Sequence, residues 1–389
     1  MPAPTDFAPT QPPAPFAGLV VVELGHSVAA PFAGQILSEL GATVIKIEKA
    51  QGDDARRWGP PFWEGAGAFF QTLNRNKQSV VCDLRDPDQL HALRALINER
   101  ADIVLQNLRP GHVEKLGLDG PSLLAAKPAL IYCNLGAFGA SGPLKDRPGY
   151  DPLMQAFGGI MSTTGEVGRP SVRVGASIVD MGTGMWAIVG VLTALFQRQT
   201  TGLGQVVDVS LFETAASWVS LLAAQVLASG QVTPKQGSGS PGIVPYKGYA
   251  TADGEVVVAA GSDALFRSMA KVLGHPEWVD DTRFANNPAR VVHGTELYGL
   301  IDALMLQQPS AHWIEALEAA GVPCAPVNNL QQMMAHPQTE ALGLVQDVPG
   351  SGMRFIGLPI SFNGQRPQPR SAPPTLGQHN ELLNPRTTP

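Results

Sequence analysis

The stretch that decides the fold is GLVVVELGHSVAAPFAGQILSELGATVIKIE, residues 18–48. Its opening, GLVVVELG at 18–25, is a continuous apolar run, which predicts a strand buried on both faces of a sheet. The apolar residues that come next recur at the spacing of one helical face: Phe32, Ile36, Leu37 and Leu40. Gly41 is expected to end that helix, and TVIKIE at 43–48 predicts a second strand. A strand, a helix and a strand in this order are the repeating unit of a parallel sheet.

The same alternation continues along the chain. SVVCDL at 79–84 predicts a strand, and Asp86-Pro87 is typical of a helix N-cap followed by a first-turn proline. One apolar stripe marks the helix that follows: Leu90, Leu93, Leu96 and Ile97. Two later runs predict strands: DIVLQNL at 102–108 and ALIYCNLGAFG at 129–139. This alternation indicates an α/β fold, and we expect a Rossmann-like, doubly wound parallel sheet.

The character of the sequence changes after about residue 215. A Gly/Ser-rich loop at 235–242 precedes two strand-like runs around Asp253-Gly254, which is a hairpin turn signal. Helices are expected to begin near Ser262 and Ser310, so a smaller α+β domain follows the large one. The expected organisation is a proline-rich lead-in (1–16), a large domain (17–225), a small α+β domain (235–330) and a C-terminal segment that returns to the large domain (335–389).

Composition excludes several classes of protein. The chain of 389 residues is 44% hydrophobic and 15% charged, which excludes wholesale disorder. Its net charge of −6 provides no overall basic surface, so no nucleic-acid partner is expected. The three cysteines lie far apart, so we expect neither a disulfide framework nor a thiolate metal site: Cys82, Cys133 and Cys324. The scattered histidines show no metal-ligand spacing, and no metal is expected.

The sequence shows no targeting segment. The proline-rich N-terminus has neither the basic region nor the apolar region of a signal peptide. Two charge-free apolar stretches, Met181–Phe196 and Thr214–Gly230, carry Gly, Ser, Thr or Gln. The first is shorter than the roughly 18 residues that a membrane span needs. We therefore expect buried helices of a cytoplasmic protein that has no membrane partner.

A glycine pattern offers one alternative function. Gly182-Thr-Gly184-Met-Trp-Ala187 fits the G-x-G-x-x-G/A dinucleotide motif, and Asp208 stands where a ribose-binding acid would be. This alternative is a nicotinamide-dependent oxidoreductase. Against it, the pattern lies in the middle of the chain, and the acid Asp180 just before it would face the pyrophosphate. A second match, Gly237-Ser-Gly239-Ser-Pro-Gly242, leads into a strand and is discounted.

Asp180 is the residue with the clearest functional context. It is expected to end the strand-like run VRVGASIVD and to begin a helix, where an aspartate is usually an N-cap. Its surroundings, PGYDPLMQAFGGIMSTTG at 148–165 and VGASIVDMGTGM at 174–185, resemble the class III coenzyme A transferases. That family includes formyl-CoA transferase and the carnitine and bile-acid CoA-transferases. Further segments resemble the same family: 18–56, 74–84, 107–118, 244–266 and 373–383.

The resemblance implies a covalent mechanism centred on Asp180. The family's aspartate attacks an acyl-CoA thioester to give a mixed anhydride, which CoA converts to an aspartyl-CoA thioester. An acceptor acid then reverses these steps. The implied substrates are an acyl-CoA and a carboxylic acid, with no permanently bound cofactor. Family frequency favours a C4–C5 dicarboxylic donor such as succinyl-CoA. A glycine-rich lid over the aspartate is implied at three residues, for which a plain flexible loop is the alternative: Gly237, Gly239 and Gly242.

The resemblance also implies a CoA site. Cations near strand ends of the large domain suit the CoA phosphates: Lys49, Arg56, Arg57, Arg75, Lys77 and Lys115. Other positions fall where the family contacts CoA: Asn74, Asn107, Leu108, Arg109 and Leu116. Val28 and Ala29 fall at the loop that approaches the thioester. Because the formyl-CoA transferases have glutamine where Val28 stands, formyl and oxalyl substrates are disfavoured. The family implies an interlocked, ring-like homodimer.

A racemase of 2-methylacyl-CoA esters, from the same superfamily, is a second alternative. The racemases place a histidine where this chain has Tyr150, just before Asp151. A tyrosine, whose ordinary pKa is about 10, is a poor general base at neutral pH. The substitution therefore favours a transferase. Asp151 is expected either to orient the acyl group or to cap a helix, and the sequence does not separate these roles.

Overall fold

The computed structural model of the protein describes residues 14–383, so most of the predicted lead-in at 1–16 lies outside the described residues. The strands are β1 (Val20–Leu24), β2 (Thr43–Glu48), β3 (Phe62–Trp63), β4 (Ala66–Gly67), β5 (Lys77–Val81), β6 (Ile103–Gln106), β7 (Ile131–Gly136), β8 (Val206–Ser210), β9 (Tyr246–Ala250), β10 (Glu255–Ala259), β11 (Cys324–Pro326), β12 (Val345–Asp347) and β13 (Arg354–Ile356).

The α-helices are α1 (Ala29–Glu39), α2 (Ala68–Asn74), α3 (Pro87–Arg100), α4 (His112–Lys115), α5 (Gly120–Ala126), α6 (Asp151–Phe157), α7 (Ile160–Thr163), α8 (Ile178–Thr201), α9 (Leu211–Trp218), α10 (Ser220–Ser229), α11 (Asp263–Val272), α12 (Asn287–Val292), α13 (Gly294–Met305), α14 (Ser310–Ala319), α15 (Leu330–Ala335) and α16 (Pro337–Ala341). Short 3₁₀ turns span Asp54–Arg57, Pro276–Val279 and Asn380–Leu383.

Six strands form a parallel sheet in the order β5-β2-β1-β6-β7-β8. Counted along the chain within this sheet, the order is 3-2-1-4-5-6, in which the winding direction reverses between β1 and β6. The predicted parallel α/β sheet is therefore confirmed. The reversal matters for function because open sheets bind ligands outside the carboxyl ends of their strands at this point.

Alternate residues of β1 face different helices. Val22 and Leu24 pack with Leu93 and Ile97 of α3 in one apolar cluster. Glu23, on the opposite face, lies against α1 at Gly34. The predicted cap of α3 is present, since the Asp86 carboxylate accepts hydrogen bonds from the backbone N–H groups of the first helical turn. With helices on both faces, the sheet buries all of its central strands.

The chain divides into two compact units. Among the described residues, the first holds 14–158, 175–218 and 337–383, and the second holds 159–174 and 219–336. These boundaries differ from the expected ones, because the second unit begins before 235 and also takes in 159–174. Hydrogen bonds within the second unit explain the difference: Gly237 N–H donates to the Gly165 carbonyl at 3.0 Å, and Lys235 Nζ to the Arg169 carbonyl at 2.7 Å. The sequence alone carries no signal for such distant pairs.

The second unit is built on a three-stranded antiparallel sheet, β11-β10-β9. The predicted hairpin at Asp253-Gly254 joins β9 to β10. Ser262 caps α11 as expected, its hydroxyl accepting from Leu265 N at 3.2 Å. Asp253 accepts from Ser310 N at 2.7 Å where α14 begins. The core is an apolar cluster contributed by this sheet and by α11, α13 and α14.

The C-terminal segment belongs to the first unit and lies along β5, an edge strand of the large sheet. His379 N–H donates to the Ser79 carbonyl at 2.9 Å, and His379 Nδ1 accepts from Ser79 N at 3.2 Å. Asn380 Oδ1 accepts from Val81 N at 2.8 Å. The segment thus satisfies backbone groups of the edge strand that would otherwise face solvent.

The two apolar stretches do form helices, but the expectation that they are buried is partly wrong. By length and composition, α8 is long and apolar enough to cross a membrane, and 44% of its most apolar window is buried in the structure. Its exposed apolar residues include Met185, Trp186, Val189 and Phe196. α10 has no buried residue. Apolar composition alone does not distinguish a core helix from one whose apolar side faces outward.

Candidate active site

A cavity of 1220 Å³ opens in the first unit at the carboxyl ends of β1, β2, β6 and β7. This is the reversal point of the sheet, between β1 and β6. The residues that follow β1 line it, His26 to Ala29, and so does Asp180. The topology therefore brings together, around one cavity, loops that are far apart in the sequence.

Asp180 lies in the first turn of α8, as its third residue. The prediction that a strand precedes it is wrong, because residues 171–177 form no strand. The Asp180 side chain is half-buried, lines the cavity and makes no hydrogen bond or ion pair with another residue of the described chain. Its carboxylate oxygens are therefore available to a ligand.

Asp151, the first residue of α6, supplies the N-terminal cap of α8 from another helix. Its Oδ2 accepts from Val179 N at 2.8 Å and from Asp180 N at 3.1 Å. Its Oδ1 accepts from Gln155 Nε2 at 2.6 Å. Ser177, at the N-cap position itself, makes no capping hydrogen bond with its side chain. Of the two roles expected for Asp151, capping is the one that the structure shows.

Burial, and in second place the negative charge of Asp151, raises the pKa of Asp180 to about 7. A carboxyl group with this pKa exists in both protonation states near neutral pH. When ionised, it is a desolvated carboxylate with higher basicity than an ordinary aspartate. Such perturbed groups in clefts are frequent at catalytic positions.

The glycine pattern at 182–187 lies inside α8. A dinucleotide-binding motif would instead lie in the turn between a strand and the helix that follows it. Gly182 packs against Thr214 and Trp218, and a Cβ at Gly184 would lie 2.8 Å from the carbonyl oxygen of Ala29. These glycines let helices approach closely. Asp208, expected as the ribose acid of that alternative, accepts from Asn134 Nδ2 at 2.8 Å. The nicotinamide alternative therefore loses its structural motif.

Six of the residues expected to bind CoA line the cavity: Val28, Ala29, Lys49, Asn107, Leu108 and Arg109. Asn107 fixes the loop after β1, because its side chain accepts from His26 N at 3.0 Å and donates to the His26 carbonyl at 2.9 Å. Lys49 pairs with Asp54 at 2.9 Å. Arg109 is exposed, and its side chain has no ion-pair partner among the described residues.

Comparisons with known proteins identify the family of the chain. Residues 16–380 match the family described as CoA-transferase family III. The chain belongs to this family. It is 35% identical to a succinate–glutarate CoA-transferase of Agrobacterium fabrum, over 96% of both chains. It is also 35% identical to a succinyl-CoA–D-citramalate CoA-transferase of Chloroflexus aurantiacus, over 96% of this chain and 94% of the relative.

A solved structure shares the fold of this class III CoA-transferase. The crystal structure of a CAIB/BAIF family protein from Brucella suis superposes with a TM-score of 0.86 at 37% sequence identity. The superposition covers 96% of this chain and 99% of the other. The similarity extends over both units, and the cavity belongs to a fold that the family shares.

Other residues expected at the CoA site do not line the cavity: Arg57, Asn74, Arg75, Lys77, Lys115 and Leu116. Arg57 pairs with Asp54, a cavity-lining residue, at 2.6 Å. Arg75 is buried against Glu39 and donates to the Ile356 carbonyl at 3.1 Å. Lys115 is exposed on α4, next to the cavity-lining Glu114. The contact of these residues with CoA stays a prediction.

Lys77 belongs to a buried charge network beneath the cavity. Its Nζ contacts Glu23 Oε2 at 2.7 Å and Asn74 Oδ1 at 3.0 Å. Burial lowers the pKa of Lys77 to about 8, although Glu23 partly opposes this shift. Lys46 bridges Glu23 and Asp53 at 2.9 Å, and although burial opposes it, these carboxylates raise the pKa of Lys46 above its usual value. The network joins β1, β2 and β5 to the loop that forms one cavity wall.

Five cationic or imidazole side chains that sequence reasoning missed also line the cavity of this class III CoA-transferase: His26, Arg85, His112, Lys145 and Arg147. Arg85 already pairs with Asp83 at 2.8 Å. Within residues 14–383, Lys145 and Arg147 have no ion-pair partner, so they can bind an anionic ligand. Their position just before the PGYD motif at 148–151 was the available signal.

A chain of side-chain hydrogen bonds runs along the cavity from β8 to β6. Asp208 accepts from Asn134, whose Oδ1 accepts from Gln106 Nε2 at 2.5 Å. Gln106 Oε1 in turn accepts from Leu108 N at 2.9 Å. This chain of hydrogen bonds therefore orients the loop that carries Arg109.

Tyr150 and the three loop glycines complete the predicted site residues. Tyr150 precedes α6, lines the cavity and is 56% exposed. Gly237, Gly239 and Gly242 belong to the second unit. There Gly237 adopts φ +59, which favours glycine, and Ser240, within the loop, forms an isolated bridge with Ile243. Their role as a lid stays a prediction.

Proposed function

We propose that this class III CoA-transferase moves CoA between carboxylic acids through covalent intermediates on Asp180. The observation that carries the proposal is a half-buried carboxylate, free of hydrogen bonds to other described residues, in a cavity at the reversal point of the sheet. A desolvated carboxylate is a better nucleophile than a hydrated one. No nucleotide triphosphate is needed, because the thioester already carries the activation.

The reaction proceeds in two symmetrical halves. The Asp180 carboxylate attacks the acyl-CoA carbonyl and expels CoA thiolate, which gives a mixed anhydride. The thiolate attacks the aspartyl carbonyl and expels the donor acid, which leaves an aspartyl-CoA thioester. The acceptor carboxylate attacks this thioester, and the same steps in reverse release the new acyl-CoA. Each oxyanion needs backbone N–H donors, and the first turn of α1 after Val28 lines the same cavity.

The unpaired cations of the cavity suit the phosphates of CoA. Arg109, Lys145 and Arg147 surround the cavity on loops after β6 and β7. A guanidinium binds phosphate through parallel N–H···O bonds, so the two arginines are the stronger candidates. We assign these three side chains to the phosphate groups and the cavity interior near Asp180 to the acyl end.

For the donor we propose a short dicarboxylyl-CoA such as succinyl-CoA. The support is the activity named for two relatives, a succinate–glutarate and a succinyl-CoA–D-citramalate CoA-transferase. A C4–C5 acid with a second carboxylate is common to both. The preference of the enzyme for one CoA donor over another is measured as kcat/KM across a panel of acyl-CoAs.

We also propose that the enzyme is a homodimer. The exposed apolar side of α8 supports this, since Trp186 and Val189 are each about half exposed and Phe196 is 75% exposed. Apolar patches of this kind are typical of surfaces that a partner covers.

The racemase alternative is weaker on this geometry. Removal of an α-proton needs a free acid–base pair. The Asp151 carboxylate is already occupied by three N–H donors, and Tyr150 is a phenol. Solvent deuterium at the α-carbon without an acceptor acid would support the racemase and contradict this assignment.

The test is mass spectrometry of the protein after incubation with acyl-CoAs and quenching with hydroxylamine. A hydroxamate on the peptide that contains Asp180 is expected with the wild type. Asp180→Asn should give no adduct and no transfer while it still binds CoA. Full turnover by that variant, or an adduct on another residue, would overturn the proposal.

A further inference from the structure

The carboxylates of Asp151 and Asp180 both lie at the start of α8, and only that of Asp151 accepts hydrogen bonds from described residues. Asp151 is buried and accepts from Val179 N, Asp180 N and Gln155 Nε2 at 2.8, 3.1 and 2.6 Å. Both oxygens of Asp151 therefore act as hydrogen-bond acceptors. Asp180 lies next to it, half-buried, with no such donors.

We propose that Asp151 is a positioning residue whose negative charge favours the aspartyl-CoA intermediate over the free enzyme. The inference rests on the proposed function, because it concerns the covalent state of Asp180. It predicts the ratio of aspartyl-CoA to free enzyme at the equilibrium of the first half-reaction. It does not concern which residue is the nucleophile.

The first half-reaction is an exchange without net protons. The Asp180 carboxylate and an acyl-CoA give the aspartyl-CoA thioester and a free carboxylate. The thioester C–S bond of the donor breaks, an aspartyl C–S bond forms, and one oxygen of Asp180 leaves with the donor acid. A negative charge therefore departs from the site with the released acid.

Repulsion between Asp151 and Asp180 exists only in the free enzyme. The neutral thioester carries no charge for Asp151 to repel, so forming it removes the repulsion and places the charge in solvent. The raised pKa of Asp180 reports the same interaction, with burial as the larger cause and Asp151 as the second. Among the described residues, Asp151 supplies the charge that shifts the pKa of Asp180.

The decisive variant is Asp151→Asn. Its amide oxygen can still accept from Val179 N and Asp180 N, so the cap of α8 is kept while the charge is removed. The wild type and the variant are equilibrated at pH 8.5 with fixed ratios of succinyl-CoA to succinate. Intact-protein mass spectrometry measures the ratio of aspartyl-CoA to free enzyme. We expect this ratio to fall about tenfold in the variant, which corresponds to one pKa unit.

Three controls separate the possible outcomes. Glu213→Gln removes a carboxylate that bonds Ser210 and not the Asp151–Asp180 pair, and its ratio should equal that of the wild type. Asp151→Glu keeps the charge and should restore most of the ratio. If Asp151→Asn does not fold, Asp151→Ser replaces it, since its hydroxyl can also accept from the N–H groups.

The results distinguish failure of the inference from failure of the proposed function. No adduct in the wild type with any donor would reject the proposed mechanism. An adduct in the wild type, with an equal ratio in Asp151→Asn, would keep that mechanism and overturn the role of Asp151. A purely structural role would lower the rate of both directions and leave the ratio unchanged.

Discussion

The reactivity of Asp180 depends on residues that are distant in sequence. Its position was predictable from the motif at 174–185, which also indicated the type of chemistry. Its environment was not, because Asp151 reaches α8 from another helix, across 29 positions of the chain. Such a cap leaves no local pattern, since the usual signal is a Ser, Thr, Asp or Asn whose own side chain caps the helix.

At the residue scale, the raised pKa predicts the pH dependence of acylation. Only the ionised Asp180 attacks, and its pKa is about 7. The kcat/KM for the acyl-CoA should therefore rise tenfold per pH unit below pH 7 and level off above pH 8. Stopped-flow release of CoA between pH 5.5 and 9 measures it. A flat profile across this range would contradict the assignment.

The same pKa has a consequence for stability. A carboxyl whose pKa is higher in the folded state loses stabilisation as pH rises from its unfolded value of about 4 towards 7. The difference between these pKa values corresponds to about 4 kcal/mol, and solvent screening of the half-buried side chain reduces it. Asp180→Asn should therefore raise the free energy of unfolding by about 2 kcal/mol at pH 8. The gain should shrink as the pH falls towards 4. Chemical denaturation at both pH values tests this, and an equal gain at both would exclude titration of Asp180 as its cause.

At the scale of elements, α1 owes its place on the sheet to a glycine. Gly34 lies on α1 where a Cβ would overlap Glu23 Oε2 and lie 3.2 Å from Lys77 Nζ. Glu23 cannot move aside, since both of its oxygens are paired with buried lysines. The predicted helix and strands were correct here. The need for glycine at position 34 could not be predicted from the sequence, because the apolar strand pattern does not indicate that Glu23 points to α1.

Gly34→Ala should lower the free energy of unfolding by about 3 kcal/mol, because it disrupts a buried ion-pair network. The matched control is Gly299→Ala on α13, where a Cβ meets nothing within 4 Å. That change should stabilise the protein by about 0.5–1 kcal/mol through helix propensity. Equal effects of the two substitutions, measured by urea denaturation, would argue against the overlap at Gly34.

The loop after β6 provides a test of the CoA site. Arg109→Ala should raise KM for acyl-CoA about tenfold with little change in kcat, because the side chain contributes binding to both ground and transition states. Arg57→Ala is the matched control, since Arg57 pairs with Asp54 and does not itself line the cavity. Steady-state kinetics with the free acid saturating separates them. A larger effect of Arg57→Ala than of Arg109→Ala on KM would contradict the assignment of Arg109 to the CoA phosphates.

At the scale of the whole molecule, the sequence predicted the parallel sheet and the α+β character of the second unit. It did not predict that 159–174 joins the second unit, since the hydrogen bonds that hold this segment reach residues 235–237. The prediction that α10 is buried was also wrong. The sequence of an apolar helix has the same pattern whether the helix packs in a core or against a partner.

The homodimer proposal makes a prediction at this scale. The chain has a mass of 41.0 kDa, so light scattering should give about 82 kDa. Phe196→Glu places a charge on the exposed apolar side of α8 and should shift the population towards monomer. A control substitution at the exposed Glu255, Glu255→Gln, should leave the mass unchanged. A wild-type monomer at micromolar concentration would reject the proposal.

The contact of His379 and Asn380 with β5 also bears on how the chain is made. During synthesis, β5 leaves the ribosome almost three hundred residues before its covering segment. Until translation ends, the nascent sheet therefore has an open edge that can pair with other extended chains. Chains that stop short of His379 should be recovered as aggregates, even though the residues that surround Asp180 are all present.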